Sequence, residues 1–258
     1  MRAWLVVAAG ALLLLTAVAV EAPAVLADRQ LDAHTNGRLR IADAAGTLWN
    51  GSGALVLLPN GARIPVLWHL DAMPLLRSHL SGTLSHDSTE SAQSRYTFDV
   101  GPDDFAVRNL AVALPAEALL RAGNAPAIVT GAGGMVELRA DAFAMHRGAF
   151  EGNFVVRWLG ASLPGPRPEV RLALGDVRLD GVGSGGEVKG LLSNAGGDIE
   201  INGTLTLGGT GAARLEARLK PRAGVDAERF KAIQAALSMI GAADDSGGFR
   251  VAWQVPGR

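Results

Sequence analysis

The side chains able to do chemistry in this 258-residue chain are few and scattered. Cysteine is absent, which excludes thiol nucleophiles, thiolate metal sites, disulfides and an acylated lipoprotein cysteine together. Five histidines, His34, His69, His79, His86 and His146, could supply imidazole for proton transfer or metal binding. The closest three, His69, His79 and His86, spread over 18 residues without a supporting carboxylate pattern, so no metal site is expected. Two adjacent acid pairs, Asp103 with Asp104 and Asp244 with Asp245, could in principle share a proton. Each lies in a glycine- or proline-containing loop, where neighbouring acids cap turns.

Motifs for nucleotide or acyl chemistry also fail on context. The stretch "AIVTGAGGMVELRAD" (127–141) imitates a strand entering a dinucleotide loop through Gly131, Gly133 and Gly134, but Val136 stands where the third glycine belongs. The residues after it alternate instead of opening a helix, so no row of amide donors is available for a pyrophosphate. "GVGSGGEVKG" (181–190) lacks the phosphate-loop lysine, and no serine stands in G-x-S-x-G. The expectation is a non-enzymatic chain without a cofactor. A formal charge of −1 and a pI near 6.5 offer no cationic surface for phosphates, so nucleic acid is not an expected partner.

What the sequence does specify is a scaffold of strands. "IEINGTLTL" (199–207) sets Ile199, Ile201, Leu205 and Leu207 on one face and Glu200, Asn202, Thr204 and Thr206 on the other. "AARLEARLK" (212–220) repeats the period of two, and "GGTG" (208–211) between them predicts a hairpin. Similar alternation runs through 95–100, 106–114, 169–182 and 249–255. Three segments read as helices instead: 71–80, 115–123 and 226–241. The last has Asp226 as N-cap, Gly241 as C-cap, and Phe230, Ile233, Ala236, Leu237 and Ile240 at helical spacing. The fold expected is mainly β, an extended and twisted antiparallel sheet, curled or barrel-like, with two or three short helices.

The N-terminus sets the compartment. Ala3 to Val20 form 18 positions without a charge, behind Arg2. As a helix they would rise about 27 Å, close to the hydrocarbon thickness, with the positive end inside. Residues 1–27 are therefore read as a membrane anchor and 28–258 as a β-rich domain across the membrane. "VLA" at 25–27 supplies the competing reading, a signal peptide cleaved after Ala27.

One motif remains: "GTLWNG" at 46–51, a tryptophan between two glycines. Gly46 and Gly51 are expected to turn the chain at the ends of a short strand, so that Trp49 drops its ring onto the buried face. The order of features is also informative. An apolar helix runs into "EAPAVLA" (21–27), then "GTLWNGSGAL" (46–55), then "VLWHLDAMPLLRSHLSGTL" (66–84). This order resembles the type II secretion system protein N family, with Gly46, Thr47, Trp49 and Gly51 matching one family motif and Trp68, Leu70, Leu75 and Leu76 a second. The resemblance implies a single-pass inner-membrane accessory of the secretion machinery, with its body in the periplasm, other secretion components as partners and no catalytic residues. A second reading, a periplasmic lipid-binding or lipid-transfer module, rests on long apolar-faced strands with few helices to cover them.

Overall fold

The computed structural model describes residues 21–57, 62–75, 77–88, 91–122, 131–165, 171–209 and 212–255. The expected anchor, 3–20, lies outside them. Among the described residues no helix is long and apolar enough to cross a membrane. The chain divides into two compact units, residues 1–95 and 96–258. Both are mainly β, and the paired strands are antiparallel.

In the first unit, helix α1 (Val25–Thr35) precedes strands β1 (Leu39–Gly46), β2 (Asn50–Leu57), β3 (Ala62–Asp71) and β4 (Leu80–Ser88), which lie side by side in chain order. Alternation puts Ile41, Leu55, Ile64, Val66, Trp68, Leu70 and Leu84 on one face, and Ala24 and Ala27, at the start of α1, pack there. The helix expected over 71–80 shrinks to a single turn, α2 (Ala72–Leu75). Its carbonyl at Pro74 takes the amides of Arg77 and His79, and Ser78 at φ +60° reverses the chain before another turn can form.

The second unit begins within β5 (Ser91–Val100) and continues through β6 (Asp104–Pro115), α3 (Ala116–Ala122), β7 (Gly133–His146), β8 (Ala149–Pro164), β9 (Arg171–Ser184) and β10 (Glu187–Ala195). It ends with β11 (Ile199–Gly208), β12 (Ala213–Pro221), α4 (Ala227–Ile240), β13 (Ala242–Ala243) and β14 (Phe249–Val255). Strand order follows chain order except at the end, where β14 inserts between β12 and β13. The ladder stays open, with β13 bonded to β14 alone, so the barrel alternative does not hold here.

The expected hairpin forms with Ile199 opposite Pro221 and Leu207 opposite Ala213. One cross-strand row reads Phe154, Gly181, Gly190, Leu205, Leu215, Trp253 from β8 to β14. Three residues along, on the other face, a row reads Arg157, Arg178, Ser193, Asn202, Arg218, Arg250. The sheet thus has one apolar and one charged surface.

Helix α4 lies on the apolar one. Asp226 caps it by accepting from the Arg229 amide at 2.8 Å. Ile233 and Leu237, essentially unexposed, join Leu172, Leu174, Ile199, Ile201 and Phe249 in the main core. Gly241 closes the helix as the expected C-cap, its amide donating to Leu237 O, in an extended conformation with φ −147°.

Candidate functional site

The residues singled out by motif, Gly46, Thr47, Trp49, Gly51, Trp68 and Leu70, meet at one corner of the first unit. Gly46 and Gly51 face each other as the last cross-strand pair of β1 and β2. They close a hairpin instead of ending a short strand, and Thr47, Leu48 and Trp49 form its loop. Gly46 sits at φ +90°, which a β-carbon would strain, and an added Cβ would also lie 2.6 Å from the Asn50 carbonyl. Thr47 locks the turn twice: its amide donates to Asn50 O at 2.8 Å, and its Oγ1 accepts from the Asn50 amide at 3.0 Å.

The buried tryptophan of this corner is Trp68, 6% exposed; Trp49, in the loop, is half-buried. Trp68 stands opposite Gly51 in the β2–β3 register, and its ring lies so close to the Gly51 backbone that a Cβ there would meet Cζ2 at 2.2 Å. Its indole N–H donates to Leu48 O at 3.0 Å, which satisfies the one polar atom that burial would otherwise strand. Leu70 closes the other side, donating its amide to Trp49 O at 2.7 Å. The sequence places the Trp49 ring on the buried face; the structure leaves it half-buried, and Gly51, two residues on, makes room for Trp68.

Sequence reasoning missed the chain just before the corner. Leu48 donates its amide to Ala22 O at 2.7 Å, Ala24 donates to Gly46 O at 3.2 Å, and Pro23 forms a bridge with Thr47. One turn into α1, the buried Asp28 accepts from the Ile41 amide at 2.7 Å and pairs with Arg40 at 2.9 Å. The Arg40 guanidinium, aided by the Ile41 amide, holds the Asp28 carboxyl below the usual carboxylate range, outweighing the opposing effect of burial. The available signal was an acid placed early in a helix after Pro23, masked by its reading as the tail of a leader.

These contacts are structural in character. Elsewhere, His146 pairs with Asp104 across β6 and β7 at the surface. Asp244 accepts from the Ser246 hydroxyl and amide and from the Gly248 amide, with Arg218 alongside at 2.7 Å, and the Ser246 and Gly248 bonds hold it far below the carboxylate range. Both acid pairs therefore contribute a residue to turn or cross-strand bonding. A polar hollow near the start of α4 contains Arg222 and Arg229, but these donate to Asn194 and Gly196 and to Asp198 and Arg171 respectively. Among the described residues no group of three His, Asp or Glu side chains converges as a metal site would require.

Against known families, residues 37–252 match the model described as type II secretion system (T2SS), protein N, and that match implies a role in type II secretion within the cell envelope. No curated protein and no solved structure matches the chain. The match spans both units and contains the whole β1–β3 corner. The chain belongs to the type II secretion system protein N family.

Proposed function

We propose that this protein is a non-enzymatic, single-pass inner-membrane component of the type II secretion machinery, supporting export of folded proteins across the outer membrane through protein contacts. Residues 3–20 anchor it, and residues 28–258 work in the periplasm. The observation that carries this reading is the family match over residues 37–252, in a chain whose one motif cluster is held by main-chain bonds and apolar packing. The bonds from Ala22 and Ala24 to Leu48 and Gly46 support an uncleaved N-terminus, since a cut after Ala27 would remove them.

The test is deletion of the gene, with secreted substrates measured in the medium and the protein cross-linked in intact cells. Loss of secretion together with links to other secretion components is expected. Normal secretion of every substrate and no such links would refute the proposal.

One observation favours a second reading, lipid binding. The apolar rows of the second unit run across six strands, whereas the core that α4 completes gathers around Ile199 and Phe249. Such a face suits acyl chains. Native mass spectrometry of protein prepared without detergent should then show co-purified lipid; a lipid-free mass would remove this reading.

A further inference from the structure

Among the described residues, the outer border of β14 beyond β13 is a strand edge without protection. The ladder geometry shows which groups it presents. Arg222 donates to Asp198 O at 2.8 Å, so the even-numbered residues of β12 bond toward β11 and the odd-numbered ones toward β14. Their partners on β14 are Phe249, Val251, Trp253 and Val255, opposite Leu219, Ala217, Leu215 and Ala213. Arg250, Ala252 and Gln254 therefore turn their amides and carbonyls the other way. β13 covers only the Phe249–Arg250 end, and Gly241 lies against the Arg250 carbonyl. Among the described residues nothing bonds to the outward backbone groups of Ala252 and Gln254.

The contrast with β1, the first strand of the other unit, is informative. There Asp28 bonds the Ile41 amide from the side, α1 packs alongside, and Asp43 at φ +55° marks a bulge between Ala42 and Ala45. Charge, bulge and a covering helix are the usual protections of a strand edge. The segment Val251–Ala252–Trp253–Gln254–Val255 has no charge, proline or bulge, and its central ring is 54% exposed.

We propose that this edge pairs antiparallel with the same edge of a second copy, about a two-fold axis through Trp253. The register follows from the backbone. With Trp253 opposite Trp253 of the second copy, Ala252 faces Gln254 on both sides of the axis, and each of these two pairs exchanges both hydrogen bonds. Four bonds form, no outward donor or acceptor between residues 252 and 254 is left over, and no like charges are opposed. Trp253 falls at the non-hydrogen-bonded position, where side chains approach most closely and an aromatic cross-strand pair is favoured. Gly241 and β13 end the ladder on one side. Self-pairing satisfies this edge in an isologous, closed contact.

The test uses single-cysteine variants of the full, otherwise cysteine-free chain in native membranes under mild oxidation. At the two-fold position, Cα atoms of paired residues lie about 4.5 Å apart, within disulfide reach. Trp253→Cys should yield disulfide-linked dimer several-fold above Val182→Cys, which is equally exposed at 53% on another strand. Adding Ala252→Pro or Gln254→Pro removes one outward amide hydrogen without touching the bonds to β12, and should return linkage to the Val182→Cys level while the melting temperature is retained. Linkage no greater than that of Val182→Cys would overturn the proposal, as would linkage undiminished in folded proline variants. The two-cysteine comparison decides the matter even if both proline variants fail to fold.

Discussion

Gly51→Ala tests the reading of the motif corner most sharply. The new methyl would be placed 2.2 Å from Trp68 Cζ2, 2.5 Å from Cε2 and 2.9 Å from the Ala45 carbonyl. Gly51 has no left-handed φ, so backbone conformation does not oppose alanine; the collision does. The ring must move out of its seat, which costs about 1–3 kcal/mol as overpacking. Displacing the indole from Leu48 O adds about 1 kcal/mol for the lost hydrogen bond. The sum, about 2–4 kcal/mol, lies near the roughly 3–5 kcal/mol expected for removing the ring by Trp68→Ala. Hydrogen exchange of the full chain, followed at β1–β3 amides, reads the opening free energy of this region without assuming one transition for both units. In a Trp68→Ala background the same Gly51→Ala change meets only the Ala45 carbonyl. The double variant should therefore be more stable than additivity predicts by at least about 1 kcal/mol. A Gly51→Ala effect within about 0.5 kcal/mol of zero, or full additivity with Trp68→Ala, would refute the ring-on-glycine account.

The remaining predictions concern the other ring, a buried acid and the long helix. Trp49→Ala, at a half-buried loop position, should cost about 1–2 kcal/mol in the same exchange measurement, less than Trp68→Ala. Asp28→Asn should destabilise the first unit at neutral pH by about 1–2 kcal/mol, kept low because Arg40 is half-exposed. The depressed Asp28 pKa means its contribution is full above the unfolded value of 3.8 and disappears as pH falls through the folded one. The wild-type chain should thus lose stability below about pH 4 along a limb that Asp28→Asn flattens, checked by acid unfolding curves of both proteins. Leu237→Ala, at a position 1% exposed under α4, should cost about 2–5 kcal/mol, read from exchange in β11, β12 and β14.

Much of the second unit is legible in the residues because period and turn chemistry agree there. From 199 to 220, apolar and polar residues alternate around a glycine-rich turn, with Gly203 the one gap within the strands, so register follows directly. The capping aspartate and the spacing of Ile233 and Leu237 likewise fix α4. The losses occur where a tertiary contact decides. Helix α1 carries a weak local signal and stays in place through Ala22, Ala24 and Asp28, whose partners lie 12 to 26 residues away. The segment 71–80 has helical composition, yet Pro74 and Ser78 limit it to one turn. At the motif corner both tryptophans fit a core position by size. Only the pairing of Gly51 with Trp68 distinguishes them, and that pairing spans 17 positions of sequence.

The same pairing changes how the 33 glycines of this chain are understood. Counted as composition they predict many turns, but Gly51 and Gly181 sit within strands beneath rings. A Cβ at Gly181 would meet the Phe154 ring at 2.3 Å, as one at Gly51 would meet the Trp68 ring at 2.2 Å. In both units, then, a large ring lies across a strand at a residue without a side chain. Such an arrangement recovers apolar burial for strands weakened by glycine and fixes register, because a slip of one residue would put a side chain under the ring. With 13 aromatic residues in 258, this seating economises on large side chains: one ring covers its own strand and the next. Gly51 of "GTLWNG", seated under the Trp68 ring, and Gly181 under Phe154 are thus two instances of one arrangement, and Trp49 stays half-buried beside the first.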